Sequence, residues 1–129
     1  MSQEETIVID PVGMNIVNRI APGTKFTGTI ECDGGLLIEG AFHGELSVKG
    51  GPIVLMQGAV MSGDIRGAGD AFLFGNIASR SDGELSDLTM GGAVFMTQSV
   101  EAKSNVTARA IKLYEGAQVD GRIKTTPRQ

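Results

Sequence analysis

Apolar residues four apart with a glycine midway, two from each, recur along the chain, as Phe26-x-Gly28-x-Ile30, Phe42-x-Gly44-x-Leu46, Met61-x-Gly63-x-Ile65, Leu73-x-Gly75-x-Ile77 and Val119-x-Gly121-x-Ile123. A spacing of two puts these residues on one side of an extended strand and the residues between them on the other. The intervening residues are Thr27, Thr29, His43, Glu45, Ser62, Asp64, Asn76, Asp120 and Arg122, all polar, with Phe74 the exception. The pattern predicts short strands with one buried and one wet face. No segment sustains a 3.6-residue period, so no helix of consequence is predicted.

Two copies extend further, as Ile53-x-Leu55-x-x-Gly58-Ala59-x-Met61-x-Gly63-x-Ile65 and Ile111-x-Leu113-x-x-Gly116-Ala117-x-Val119-x-Gly121-x-Ile123. Self-similarity of this kind marks a repeat architecture. Degenerate copies are expected around Phe95 and around Val106-Thr107-Ala108. Hairpins need Asn-Gly or Asp-Gly between complementary strands. Asp33-Gly34 and Asp82-Gly83 qualify, but the other joints are single glycines or the pairs Gly50-Gly51 and Gly91-Gly92, and they separate strands of the same pattern. Like strands stack best on their own copies one turn later. That arrangement is a single parallel β-helix, an all-β solenoid with its core inside the coil and glycines at corners and tight inward sites.

At roughly 17 to 20 residues per turn, residues 23–123 would make five to six turns. Residues 1–22, interrupted by Pro11 and Pro22, are expected to form a flexible N-terminal tail, and 124–129 a short polar C-terminal tail. The stretch from Arg80 to Asn105 fits the repeat poorly, and an enlarged loop is expected there.

Composition narrows the core and the partners. In 129 residues with 41% hydrophobic content there is material for one core, and with 19 glycines, no Trp, five Phe and one Tyr that core must be mainly aliphatic. A net charge of -4 argues against nucleic acid, which needs a basic face. Glu4 and Glu5 stand where a secretory signal carries cations, and the longest uncharged run, Gly50 to Gly63, is too short and glycine-rich to span a bilayer. With a single cysteine, Cys32, the chain is expected to be cytoplasmic, or at the inner face of the cell membrane. The sequon Asn105-Val106-Thr107 is then a chance match.

The strings Gly58-Ala59-Val60-Met61-Ser62-Gly63-Asp64-Ile65 and Gly116-Ala117-Gln118-Val119-Asp120-Gly121-Arg122-Ile123 closely resemble the repeat of the bactofilins, as does Leu36-x-Ile38-x-Gly40-x-Phe42-x-Gly44-x-Leu46. The resemblance covers the whole central region. It implies a right-handed β-helix of triangular cross-section between disordered tails, self-assembling into filaments without nucleotide. It also implies scaffolding of cell shape, polarity or local peptidoglycan remodelling, with cell-wall-modifying enzymes or other bactofilins as partners. Many bactofilins begin with an apolar and basic peptide that docks on membrane. The start here is acidic, so Ile7-Val8-Ile9 and Ile16-Val17 are expected to insert only weakly, without the electrostatic attraction that nearby cations would add.

No catalytic, cofactor or metal site is expected. The rival reading is a trimeric β-helix scaffold, or an acyltransferase-like enzyme with sites between subunits. Such sites need a catalytic histidine or three histidines on zinc. The one histidine here, His43, lies on the outward side of its strand without an identifiable orienting partner. Cys32 reads as a plain reduced thiol, and Gly67-Ala68-Gly69 lacks the Gly-Lys-Ser/Thr of a phosphate loop. Asp64, Asp70, Asp82, Glu84 and Asp87 lack calcium-ligand spacing. The chemistry expected is that of surfaces. The terminal turns form the candidate polymerisation interface, with Phe26 and Ile30 at one end and Leu113, Val119 and Ile123 at the other. Phe72 and Phe74 are candidates for a lateral or partner contact, unless a corner at Gly75 turns both inward.

Overall fold

The computed structural model describes Ile9 and residues 12–126. Every regular element among them is a strand. The first seven are β1 (Ile16–Ile20), β2 (Lys25–Asp33), β3 (Gly35–Ile38), β4 (Ala41–Lys49), β5 (Ile53–Leu55), β6 (Val60–Gly67) and β7 (Ala71–Leu73). The next four are β8 (Asn76–Ile77), β9 (Ser86–Met90), β10 (Ala93–Met96) and β11 (Glu101–Ala102). The last are β12 (Ser104–Ala108), β13 (Ala110–Leu113), β14 (Gln118–Val119) and β15 (Ile123–Thr125). All pair in parallel, so neither Asp33-Gly34 nor Asp82-Gly83 closes a hairpin between neighbouring strands.

The register makes the chain a solenoid of about six turns. One wall stacks β1, β3, β5, β7, β10 and β13 in that order. Along it Ile20, Ile38, Leu55, Leu73, Met96 and Leu113 lie in register, one per turn. The remaining strands make two further walls, joined in the long strands β2, β4 and β6 and separate later, where β8, β11 and β14 carry one wall and β9, β12 and β15 the other. Their inward columns run Phe26, Phe42, Met61, Ile77, Ala102, Val119 and Ile30, Leu46, Ile65, Leu88, Val106, Ile123. Because β1 already pairs with β3, the first turn begins at Ile16, ahead of the residue-23 boundary read from the sequence, and β15 carries the last turn to Thr125. A tail beyond those limits falls largely on residues 1–8, 10, 11 and 127–129, outside the described residues.

The corner between the two joined walls explains the central glycine of the repeat. Gly28, Gly44 and Gly63 stack in register with φ of +140°, +141° and +111°. A Cβ at Gly44 would stand 1.9 Å from the Gly28 carbonyl oxygen, and one at Gly63 2.0 Å from that of Gly44. Each turn lays its backbone where a side chain of the next would go. In the fourth turn the chain leaves this corner after Ala78 and returns at Ser86, the enlarged loop that the weak repeat fit predicts. On the first wall this turn puts Leu73 in register with Met96, a wider spacing than any other turn shows. The fully buried Ser86 then fills the corner: its Oγ accepts from the Gly63 N–H at 2.9 Å and donates to the Ala78 carbonyl at 2.6 Å. Ser104, also fully buried, takes the corner one turn later and donates to the Ser86 carbonyl at 3.1 Å.

The loop is pinned outside by Arg80, whose Nη2 lies 2.8 Å from Asp87 Oδ2 and 3.3 Å from Asp64 Oδ1. The hydrogen bond to Asp87, helped by the charge of Asp64, holds the guanidinium even more firmly protonated than usual. All three side chains are substantially solvated, and such pairs contribute little. Arg80→Ala is therefore expected to lower stability by at most about 1 kcal/mol, measured by urea denaturation.

The inward columns of the three walls meet in one continuous core of mainly aliphatic side chains, as the composition requires, with Phe42 its one fully buried aromatic ring. The inward assignments hold along β4 and β6, where Phe42, Leu46, Met61 and Ile65 are at most 2% exposed. The outward face is less uniformly wet than the alternation suggests. Ser62 is 4% exposed and lies 2.6 Å from His43 Nδ1. The first wall, moreover, carries an apolar outer surface.

Candidate functional site: the two ends of the coil

A parallel coil pairs each strand on two sides except in its first and last turns. Among the described residues β1 pairs only with β3 and β2 only with β4, while β13, β14 and β15 each have one partner. Their outer edges present unpaired backbone N–H and C=O groups. The same geometry uncovers the core. Leu113 is 44% exposed, whereas Ile38 and Leu73 in the same column are 0% exposed; Ile123 is 45% exposed, whereas Val106, one turn inside, is 0%. Val119 and Ile111 beside them are half-buried and pack on the core. Restoring Leu113 and Ile123 to interior burial would return about 1 kcal/mol each.

The opposite end is also apolar but better filled. Phe26, Ile30 and Cys32 face inward along β2, half-buried on the core, and the Phe26 ring stacks on Phe42 at 5.7 Å between centroids. On the adjoining wall the inward column ends in Asn18, whose Nδ2 donates to the Gly35 carbonyl at 3.3 Å, so an amide covers part of this cross-section. Val17, at 66% exposure, stands out at the irregularity where the β1 register shifts. The structure thus brings together Phe26 with Ile30 in the first turn, and Leu113 with Val119 and Ile123 in the last. Ile111, the first residue of the second long repeat copy, joins the last-turn surface beside the three residues expected there, whereas the repeat pattern held no sign of Cys32 and Asn18, although each lies in the inward register of its terminal strand.

Phe72 and Phe74 lie outside the core. The alternation Ala71 in, Phe72 out, Leu73 in carries Phe72 to the outer surface, where its ring stacks on that of Phe95 at 5.1 Å and 4°. Both rings turning inward at Gly75 is therefore not what happens. Phe74, just past β7, is half-buried and likewise absent from the core cluster.

The residues capable of chemistry are spread over the outer surface or held by neighbours. His43 and Ser62 share a groove with Lys25, Glu45 and Arg80 under the 79–82 segment, but among the described residues His43 has no second partner to orient it as a base. Cys32 is a free thiol, and burial pushes its pKa up, away from a reactive thiolate. Asp70 accepts from the Ala93 N–H and Asp82 from the Glu84 N–H. No group of three or more His, Cys, Asp or Glu capable of holding a metal occurs among the described residues. Nor is any helix there long and apolar enough to cross a membrane.

The class these features define is a parallel β-solenoid whose first and last strands, among the described residues, are each paired on one side only. Residues 18–124 match the family model described as "Bactofilin: Polymer-forming cytoskeletal", and the chain belongs to the bactofilin family. No curated protein matched the chain, and no solved structure did.

Proposed function

We propose that this protein is a cytoskeletal scaffold that polymerises by stacking its terminal turns end to end, without nucleotide and without catalysis. The observation that carries this reading is the contrast within single columns: Leu113 and Ile123 are nearly half exposed, while the residues one turn inside are sealed. A second copy supplies what each edge lacks, a strand to pair its backbone groups and a turn of side chains to cover its core. Both ends are apolar, so like ends can meet as well as unlike ones. Cell-wall-modifying enzymes and other bactofilins are the partners to seek along such a scaffold, and the cytoplasm, or the inner face of the cell membrane, is the compartment to examine.

Electron microscopy of the purified protein without nucleotide tests the reading directly: filaments are expected, and discrete trimers would favour an inter-subunit scaffold instead. Polymer mass in a sedimentation assay is expected to be unchanged by apyrase, EDTA, ATP or GTP. A clear nucleotide requirement would contradict the proposal.

A further inference from the structure

The last turn repeats its chemistry in mirror order about the Gly121 corner. One step from Gly121 stand Asp120 and Arg122, two steps away Val119 and Ile123, and three steps away Gln118 and Lys124. Val119 and Ile123 continue the inward columns, so by alternation Asp120 and Arg122 stand on the outside. Both are exposed, and neither side chain has a hydrogen-bond or ion-pair partner among the described residues. Two opposite charges on an unpaired edge, joined neither to each other nor to the coil, are set to meet something beyond that edge.

We infer that Asp120 and Arg122 are the specificity determinants of the last turn, fixing the register in which a second copy docks there; this rests on the end-to-end stacking proposed above. A two-fold axis from the Gly121 corner to the middle of the first wall lays one last turn on another, strands antiparallel and Gly121 on Gly121. Strand β14 of each copy then runs along β15 of the other. Val119 meets Ile123 of the second copy and Ile123 meets its Val119, apolar on apolar. Outside them Asp120 meets Arg122 and Arg122 meets Asp120, so one symmetric contact makes two ion pairs. Gln118 meets Lys124 without a clash of charge. A last turn docked on a first turn, with Gly121 over Gly28, would set Asp120 against Thr27 and Arg122 against Thr29, both uncharged. The first wall does not choose between the two arrangements. Lys112, its ammonium 5.4 Å from the Tyr114 ring centroid, meets a cation in either, its own copy or Arg19 in the same column. A ligand of one sign would satisfy one member of the Asp120/Arg122 pair and repel the other, whereas a second copy satisfies both.

Asp120→Arg and Arg122→Asp, made separately in the full chain, each turn two attractive pairs into two repulsive ones. Each alone, with circular dichroism reporting an intact coil, is expected to raise the critical concentration for polymer in a sedimentation assay at least about tenfold. Mixed in equal amounts the two variants should assemble again, because a contact between unlike subunits sets two arginines of one against two aspartates of the other. The double exchange, Asp120→Arg with Arg122→Asp, should assemble as the parent does. Should a single variant lose its fold, Asp120→Lys and Arg122→Glu ask the same question. Single variants that assemble like the parent overturn the inference, and so does a loss that neither mixing nor the double exchange repairs. The stacking itself is read separately from Ile123→Arg: if that variant stays unassembled while the charge variants behave like the parent, end-to-end stacking stands and this register falls. If Ile123→Arg also assembles like the parent, both fall.

Discussion

Gly44→Val and Gly63→Val are each expected to abolish the folded coil, giving insoluble or unstructured protein where the parent gives a cooperative thermal transition by circular dichroism. The new Cβ would meet backbone atoms, the carbonyl oxygens of Gly28 and Gly44, at 1.9 and 2.0 Å. Backbone held in a stacked turn cannot swing aside as a flexible side chain can. Relieving the overlap would mean separating adjacent turns along the corner, which breaks the ladder on both joined walls. The positive φ adds strain that valine, branched at Cβ, tolerates worst. The combined cost exceeds about 5 kcal/mol, comparable with the whole stability of an ordinary domain. Gly58→Ala separates the two causes. Gly58 has φ +88° but no atom within 4 Å of its prospective Cβ, so only the conformational term applies, about 1 to 2 kcal/mol. Equal losses at Gly44 and Gly58 would mean that the stacked corner is not what requires glycine.

The second large effect is on assembly. Ile123→Arg is expected to leave a soluble, β-rich subunit that no longer forms filaments, read by light scattering and electron microscopy. At 45% exposure the new guanidinium can stay in water in the isolated coil, so the fold loses little. In an end-to-end contact the same group would be enclosed between two apolar cross-sections, at a cost of several kcal/mol. A penalty of about 4 kcal/mol raises the concentration needed for association roughly a thousandfold. Val119→Arg tests the adjoining wall, with a larger share of the loss falling on the fold because Val119 already packs on the core. The control belongs on a mid-coil outer position. Asp64 is unsuitable because it pairs with Arg80, whereas Thr89→Glu on β9, exposed and in register with Arg66, keeps the surface wet and should assemble as the parent does. Filaments of Ile123→Arg as long and abundant as the parent's would remove the terminal turns from the mechanism.

The sequence by itself determined which side chains line the interior. In an extended strand the side of a residue is decided by whether its number is odd or even, so Phe42, Leu46, Met61 and Ile65 could be placed inside, and Phe26, Ile30, Leu113, Val119 and Ile123 at the ends, from spacing alone. Glycine at the repeat centre was legible for the same reason, since a residue recurring at one register position answers a constraint recurring at one place in the coil. The failed repeat after Arg80 likewise announced the loop.

Only the tertiary structure decided what happens between turns and on the outside. The corner after Ala78 is filled by Ser86, and Arg80 meets Asp64 and Asp87, because the loop's excursion resets which residues become neighbours, a length no local pattern encodes. Strand β1 joins the coil although Ile16–Ile20 lacks the glycine-centred repeat, because a turn already formed offers it an edge to pair with. The Phe72–Phe95 stack and the sealed Val54 were hidden most completely. Alternation within a strand tells inside from outside, but how far an outward side chain meets water depends on what the neighbouring turns bring beside it, as Phe95 is brought onto Phe72, and periodicity carries no information about that.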